Sequence, residues 1–117
     1  MAWILALVDD IFFQAKMQET ARKLGIELKI AGTGNALLAA VTDAPPALIL
    51  VDLNARQGPL EALEKLQAAG NQIPVIAFLS HVQVELAERA RAAGCAQVLP
   101  RSKFTQELAA ILQSAVS

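Results

Sequence analysis

The sequence holds 117 residues with a formal net charge of −1, of which 55% are hydrophobic and 18% charged. That length fits one domain, and a chain of this size buries roughly two thirds of the surface its unfolded form exposes, so disorder is excluded. Twenty-three residues are alanine and aromatics are only 4%, so the apolar excess lies in small side chains suited to close helix–sheet contact. No apolar run approaches the roughly 20 residues a membrane span needs, and no membrane insertion is expected. The start of the chain lacks a basic segment and a signal-peptide pattern, with Asp9 and Asp10 following at once. A pI near 5.7 and the lack of a basic stretch argue against nucleic acid as a direct partner. One cysteine, Cys95, makes neither an internal disulfide nor a thiolate-rich zinc site, which points to a reducing cytoplasm.

The chain alternates short apolar runs with helical patterns. Trp3–Val8 reads as a first strand, with Trp3 at the bottom edge of a sheet. Phe13, Met17, Ala21 and Leu24 recur at helical spacing, and Gly25 stops that helix. Ile26, Leu28 and Ile30 alternate with Glu27 and Lys29, the pattern of a half-buried edge strand. A short helix is expected around Ala36–Val41, closed by Asp43-Ala44-Pro45-Pro46. Ala47–Val51 is apolar on both faces, as a central parallel strand must be, and it stops at Asp52. The loop Leu53–Gly58 leads to Pro59, a favourable first helical residue, and Leu60, Leu63 and Leu66 mark a helix ended by Gly70. Pro74–Leu79 is the fourth strand, stopping at Ser80. Val84, Ala87 and Ala90 suggest the next helix, ended by Gly94, and Ala96–Leu99 a short fifth strand. Leu108, Ile111, Leu112 and Ala115 give the last helix, with Thr105 as its N-cap. The expected architecture is α/β: a (βα)5 doubly wound parallel sheet, strand order 2-1-3-4-5, in one flavodoxin-like domain spanning residues 1–117.

The polar residues stand where strands stop. In open α/β sheets, sites form outside the carboxyl ends of strands where strand order reverses, here between strands one and three. Asp9, Asp10 and Asp52 would converge there. Like charges 4 Å apart repel by about 4 kcal/mol at an effective dielectric near 20, so the acids need a counter-charge. A hard divalent cation with few carboxylates suits Mg²⁺ better than a caged Ca²⁺. Asp52 is the candidate nucleophile for phosphoryl transfer, Ser80 a donor to a phosphoryl oxygen, and a cation after strand five a partner for another. Singly, each has a plainer reading: the acid pair as a helix cap, Asp52 as a loop or cap residue, Ser80 as a turn residue. Their conjunction on successive strand ends points to a phosphoacceptor site.

Leu7-Val8-Asp9-Asp10, Leu50-Val51-Asp52, Pro74-Val75-Ile76 running to Ser80, and Ala92-Ala93-Gly94-Cys95-Ala96 together resemble a response-regulator receiver domain over essentially the whole chain. The resemblance implies that Asp9 and Asp10 take part in Mg²⁺ binding and that Asn54 lends its backbone carbonyl to the metal. It implies that Asp52 accepts phosphate from a histidine kinase or phosphotransfer protein. Ser80 falls at the hydroxyl switch position. The family's lysine after strand five is matched by Arg101, which keeps the charge but presents a planar fork.

Three further departures stand out. His81 is bulky where receivers carry a small residue, Val98 replaces an aromatic switch residue, and Gly58 arrives early with no Met-Pro pair after Asn54. Ile11, Phe12 and Phe13 open the first helix; Phe13 continues the core stripe, while Ile11 or Phe12 faces solvent on the edge that in receivers docks the kinase. Cys95 reads as a small buried residue with nothing to activate it.

The leading expectation is a stand-alone receiver whose only chemistry is accepting and losing a phosphoryl group, with an unknown downstream protein as its output. A non-phosphorylated pseudo-receiver acting as a protein-interaction scaffold is the alternative, motivated by Arg101, His81 and Val98. A flavodoxin-like cofactor binder would want a Gly/Ser/Thr-rich first turn, where Asp9-Asp10-Ile11-Phe12-Phe13 supplies charge and bulk. A haloacid-dehalogenase-type phosphatase would need its second acid two residues after the first, and here the two are adjacent.

Overall fold

The computed structural model describes residues 2–80 and 83–116, so the reading of His81 lies outside the described residues. Five strands alternate with five helices: β1 (Trp3–Leu7), α1 (Ile11–Leu24), β2 (Glu27–Ala31), α2 (Gly34–Asp43), β3 (Leu48–Asp52), α3 (Pro59–Ala68), β4 (Val75–Leu79), α4 (Val84–Ala92), β5 (Gln97–Pro100) and α5 (Arg101–Val116). The sheet is parallel throughout in the order β2-β1-β3-β4-β5, the flavodoxin-like topology expected. Among the described residues no helix is long and apolar enough to cross a membrane.

Burial explains the placement. Every residue of β1, β3 and β4 is buried, whereas β2 alternates as an edge strand does. Side-chain alternation divides the core between the sheet's faces. Ile4, Ala6, Leu48, Leu50, Ile76 and Phe78 pack with Phe13, Met17 and Ala21 of α1 and Phe104, Leu108 and Leu112 of α5. Leu5, Leu7, Ile49, Val51, Val75 and Ala77 pack with Leu37 of α2, Leu63 and Leu66 of α3 and Ala90 of α4. Trp3 starts β1 on this second face, with the Lys29 ammonium 4.8 Å from its ring centre. Cys95 is buried there too, and burial pushes its thiol up to about 11.

Local chemistry sets the ends of the helices. Asp10 caps α1 by accepting from the Phe12 and Phe13 amides, and Gly25 closes it at φ 70°. Thr33 caps α2 by accepting from the Ala36 amide. That helix starts at Gly34, earlier than the expected Ala36, because Gly34 packs directly on the Gly58 backbone; a Cβ there would stand 2.3 Å from the Gly58 carbonyl oxygen.

Two further expectations are corrected. Thr105 is not an N-cap: α5 begins one turn earlier at Arg101, and the Thr105 hydroxyl donates to the Arg101 carbonyl at 2.8 Å. Phe104 anchors that extra turn in the core. Strand β5 runs to Pro100 instead of ending at Leu99, which an edge strand tolerates. The helix read from Val84, Ala87 and Ala90 is present as α4; Val84 is 61% exposed on it, and Leu86 and Ala90 turn to the core.

Candidate functional site

Asp52 ends β3 between β1 and β4, and is 2% exposed, the one buried charged side chain among the described residues. Its Oδ1 accepts from the Asn54 amide at 2.9 Å, and its Oδ2 from the Arg101 Nη2 at 3.0 Å. Burial pushes its carboxyl above the ordinary aspartate value. The Asn54 amide and the Arg101 guanidinium pull it back, and the charges of Asp9 and Asp10 push the same way as burial.

The other two acids are engaged separately. Asp10 spends Oδ1 on the α1 cap, while its Oδ2 lies 3.8 Å from Arg101 Nη1. Asp9 Oδ2 accepts from the Arg56 amide at 2.9 Å and lies 3.7 Å from Arg56 Nε. The guanidinium of Arg101 therefore spans Asp10 and Asp52. It lies over the Phe13 ring, 4.5 Å from its centre, and 5.6 Å from that of Phe78. Phe78 stacks on Phe104 at 4.2 Å, and Phe13 tilts against both.

Ser80 follows β4, but its hydroxyl donates to Asn54 Oδ1 at 2.9 Å, and its amide donates to the same oxygen at 2.6 Å. Asn54 Nδ2 donates to Gln83 Oε1 at 2.8 Å. The Asn54 side chain thus ties the loop after β3 to the loop after β4. Each sequence-identified residue lies at the strand carboxyl ends: Asp9, Asp10, Asp52, Asn54, Ser80 and Arg101. Asp10 and Asp52 meet through Arg101, whereas Asp9 turns to Arg56 and Ser80 to Asn54.

The Mg²⁺ expected on Asp9, Asp10, Asp52 and the Asn54 carbonyl can be set against this geometry. Among the described residues no three His, Cys, Asp or Glu side chains form a group that could hold a metal ion. All three carboxylates face N–H donors or guanidinium nitrogens. A fixed cation of like sign lies between two of the expected ligands, at about 4 kcal/mol of repulsion per unit of added charge at 4 Å. As arranged, the residues do not fit the metal.

The sequence reading missed Arg56, Gln83 and the aromatic floor. Phe78 carried a signal, since it is the one aromatic residue of β4 and pairs in register with Asp52. Arg56 and Gln83 had none, because both act from loops. On the rim, Ile11 and Phe12 are 68% and 82% exposed, so both face solvent, while Phe13 is buried. Val98 is half-buried against the second core face.

No protein-family model matches the chain, and no curated protein matches it. Solved structures do. The chemotaxis protein CheY4 of Vibrio cholerae is 22% identical with a TM-score of 0.84, over 99% of each chain. The phosphorylated cyanobacterial phytochrome response regulator RcpA is 17% identical with a TM-score of 0.85, over 99% of this chain and 96% of that one. The N-terminal domain of a response regulator/sensory box/GGDEF 3-domain protein from Carboxydothermus hydrogenoformans is 25% identical with a TM-score of 0.79, over 96% and 91%. The chain has the receiver-domain fold of response regulators.

Proposed function

We propose that these 117 residues form one receiver unit of two-component signalling and that Asp52 accepts a phosphoryl group from a phosphohistidine on a histidine kinase or phosphotransfer protein. The observation that carries the reading is a buried carboxylate at the strand-order reversal, with one oxygen facing a guanidinium. In the step, Asp52 Oδ2 attacks phosphorus and the P–N bond breaks. An acyl phosphate forms, and the imidazole leaves with the electron pair and takes a proton. Arg101 exchanges its carboxylate partner for phosphoryl oxygens, which suit its planar fork. Asn54 holds Oδ1 and so fixes which oxygen reacts.

The chain acts here as a phosphoacceptor and not as an enzyme with turnover. Its signal passes through a protein contact, and exposed Ile11 and Phe12 beside the site supply apolar surface for the donor. We take the cytoplasm as its compartment, in keeping with a free Cys95. A second reading, a scaffold that is never phosphorylated, is favoured by one observation: the Ser80 hydroxyl is committed to Asn54.

Incubation with a phosphorylated phosphotransfer protein, followed by intact-mass and peptide mass spectrometry, separates the two. The receiver reading expects one alkali-labile phosphoryl group on the peptide containing Asp52, absent in Asp52→Asn. An unmodified protein leaves the scaffold, and label that survives Asp52→Asn overturns Asp52 as the acceptor.

A further inference from the structure

Arg101 is the first residue of α5, where the helix dipole disfavours a cation. Its placement answers to the site instead of to the helix. The guanidinium meets Asp52 Oδ2 at 3.0 Å and lies 3.8 Å from Asp10 Oδ2. Its underside rests on Phe13 and Phe78, a desolvated setting in which a cation is attracted to the ring faces. Its Nε is shielded from solvent and has no hydrogen-bond partner among the described residues. The group is thus held by two acids from two strand ends and by two rings from α1 and β4. A guanidinium does not lose its proton in the working pH range, so the charge it brings is permanent.

We propose that Arg101 is the resident counter-cation of this site, doing the electrostatic work otherwise left to a divalent metal, and that a divalent cation reaches Asp10 and Asp52 only by displacing the guanidinium. Each of the three acids already faces a guanidinium, two cations against three carboxylates: Arg101 lies against Asp10 and Asp52, and Arg56 against Asp9. The inference stands whether or not Asp52 is phosphorylated. It makes Arg101 a selectivity residue, since its removal should create a metal site and not merely weaken the fold.

The test is a titration of the full chain with Mg²⁺, followed by amide NMR and calorimetry, on the wild type, Arg101→Gln and Arg101→Met. The methionine variant keeps an apolar stem over Phe13 and Phe78, and thermal melts establish that each variant is folded. The wild type should bind Mg²⁺ no better than a surface carboxylate. Either folded variant should bind at least about tenfold more tightly, equivalent to about 1.4 kcal/mol, with shifts centred on Asp10 and Asp52. Wild-type affinity equal to that of the variants, or no gain in a folded variant, would overturn the proposal.

Discussion

The two faces of the sheet are built from different materials. The face covered by α1 and α5 holds Phe13, Phe78 and Phe104 in mutual contact. Its counterpart under α2, α3 and α4 is leucine, isoleucine, valine and alanine with Cys95, and has Trp3 at the far end of β1 as its aromatic member. The aromatic face ends beneath Arg101, so its packing and the charge of the site are one structure. The aliphatic face is marked by close backbone approach, with Gly34 on Gly58. One half of the core positions chemistry, and the other sets the distance between helices.

Truncations on the two faces should therefore differ in kind. Phe78→Ala should cost about 3–5 kcal/mol and Leu63→Ala about 2–5 kcal/mol, measured by urea denaturation. Only Phe78→Ala should also shift the amide resonances of Asp10 and Asp52, because it removes a ring under Arg101. Equal disturbance of the site by both would erase the distinction. Next in size is Gly34→Ala, where the new Cβ meets the Gly58 carbonyl oxygen at 2.3 Å. We expect a loss of about 1–3 kcal/mol from this overpacking, with site resonances unmoved.

A smaller effect comes from Asp52 itself, on the aromatic face. Burial raises its folded value above that of the unfolded chain. The folded state then binds the extra proton, so stability falls as pH rises from the unfolded value through the raised folded one. Denaturation midpoints across that window should decline more steeply for the wild type than for Asp52→Asn. A wild type that gains on the variant as pH rises would contradict the burial argument. Smallest of all, Cys95 on the aliphatic face, with its thiol pushed up to about 11, should react with iodoacetamide at neutral pH far more slowly than free cysteine. Comparable rates would mean that the face opens readily.

The sequence carried the fold because buried parallel strands announce themselves: β1 and β4 are unbroken apolar runs, β3 is one up to Asp52, and β2 alternates as an edge must. It lost the start of α5 because Thr105 offered a plausible cap, while Phe104 stood one residue before that cap and four before the recognised stripe. The site positions were legible for a similar reason, since Asp52, Ser80 and Arg101 fall where strands stop. Their partners were not. Arg101 has several rotatable bonds, and its direction is set by Phe13 and Phe78, far away in sequence. Ser80 bonds to Asn54 across 26 residues. Such contacts are properties of the assembled sheet, so the acid cluster suggested a metal where the folded chain supplies its own cation.

A crystal structure grown in millimolar Mg²⁺ examines that claim most directly. The Arg101 guanidinium should stand between Asp10 and Asp52, resting on Phe13 and Phe78, with no cation on either carboxylate. A hydrated Mg²⁺ bound to Asp10 and Asp52, with Arg101 turned out to solvent, would contradict it.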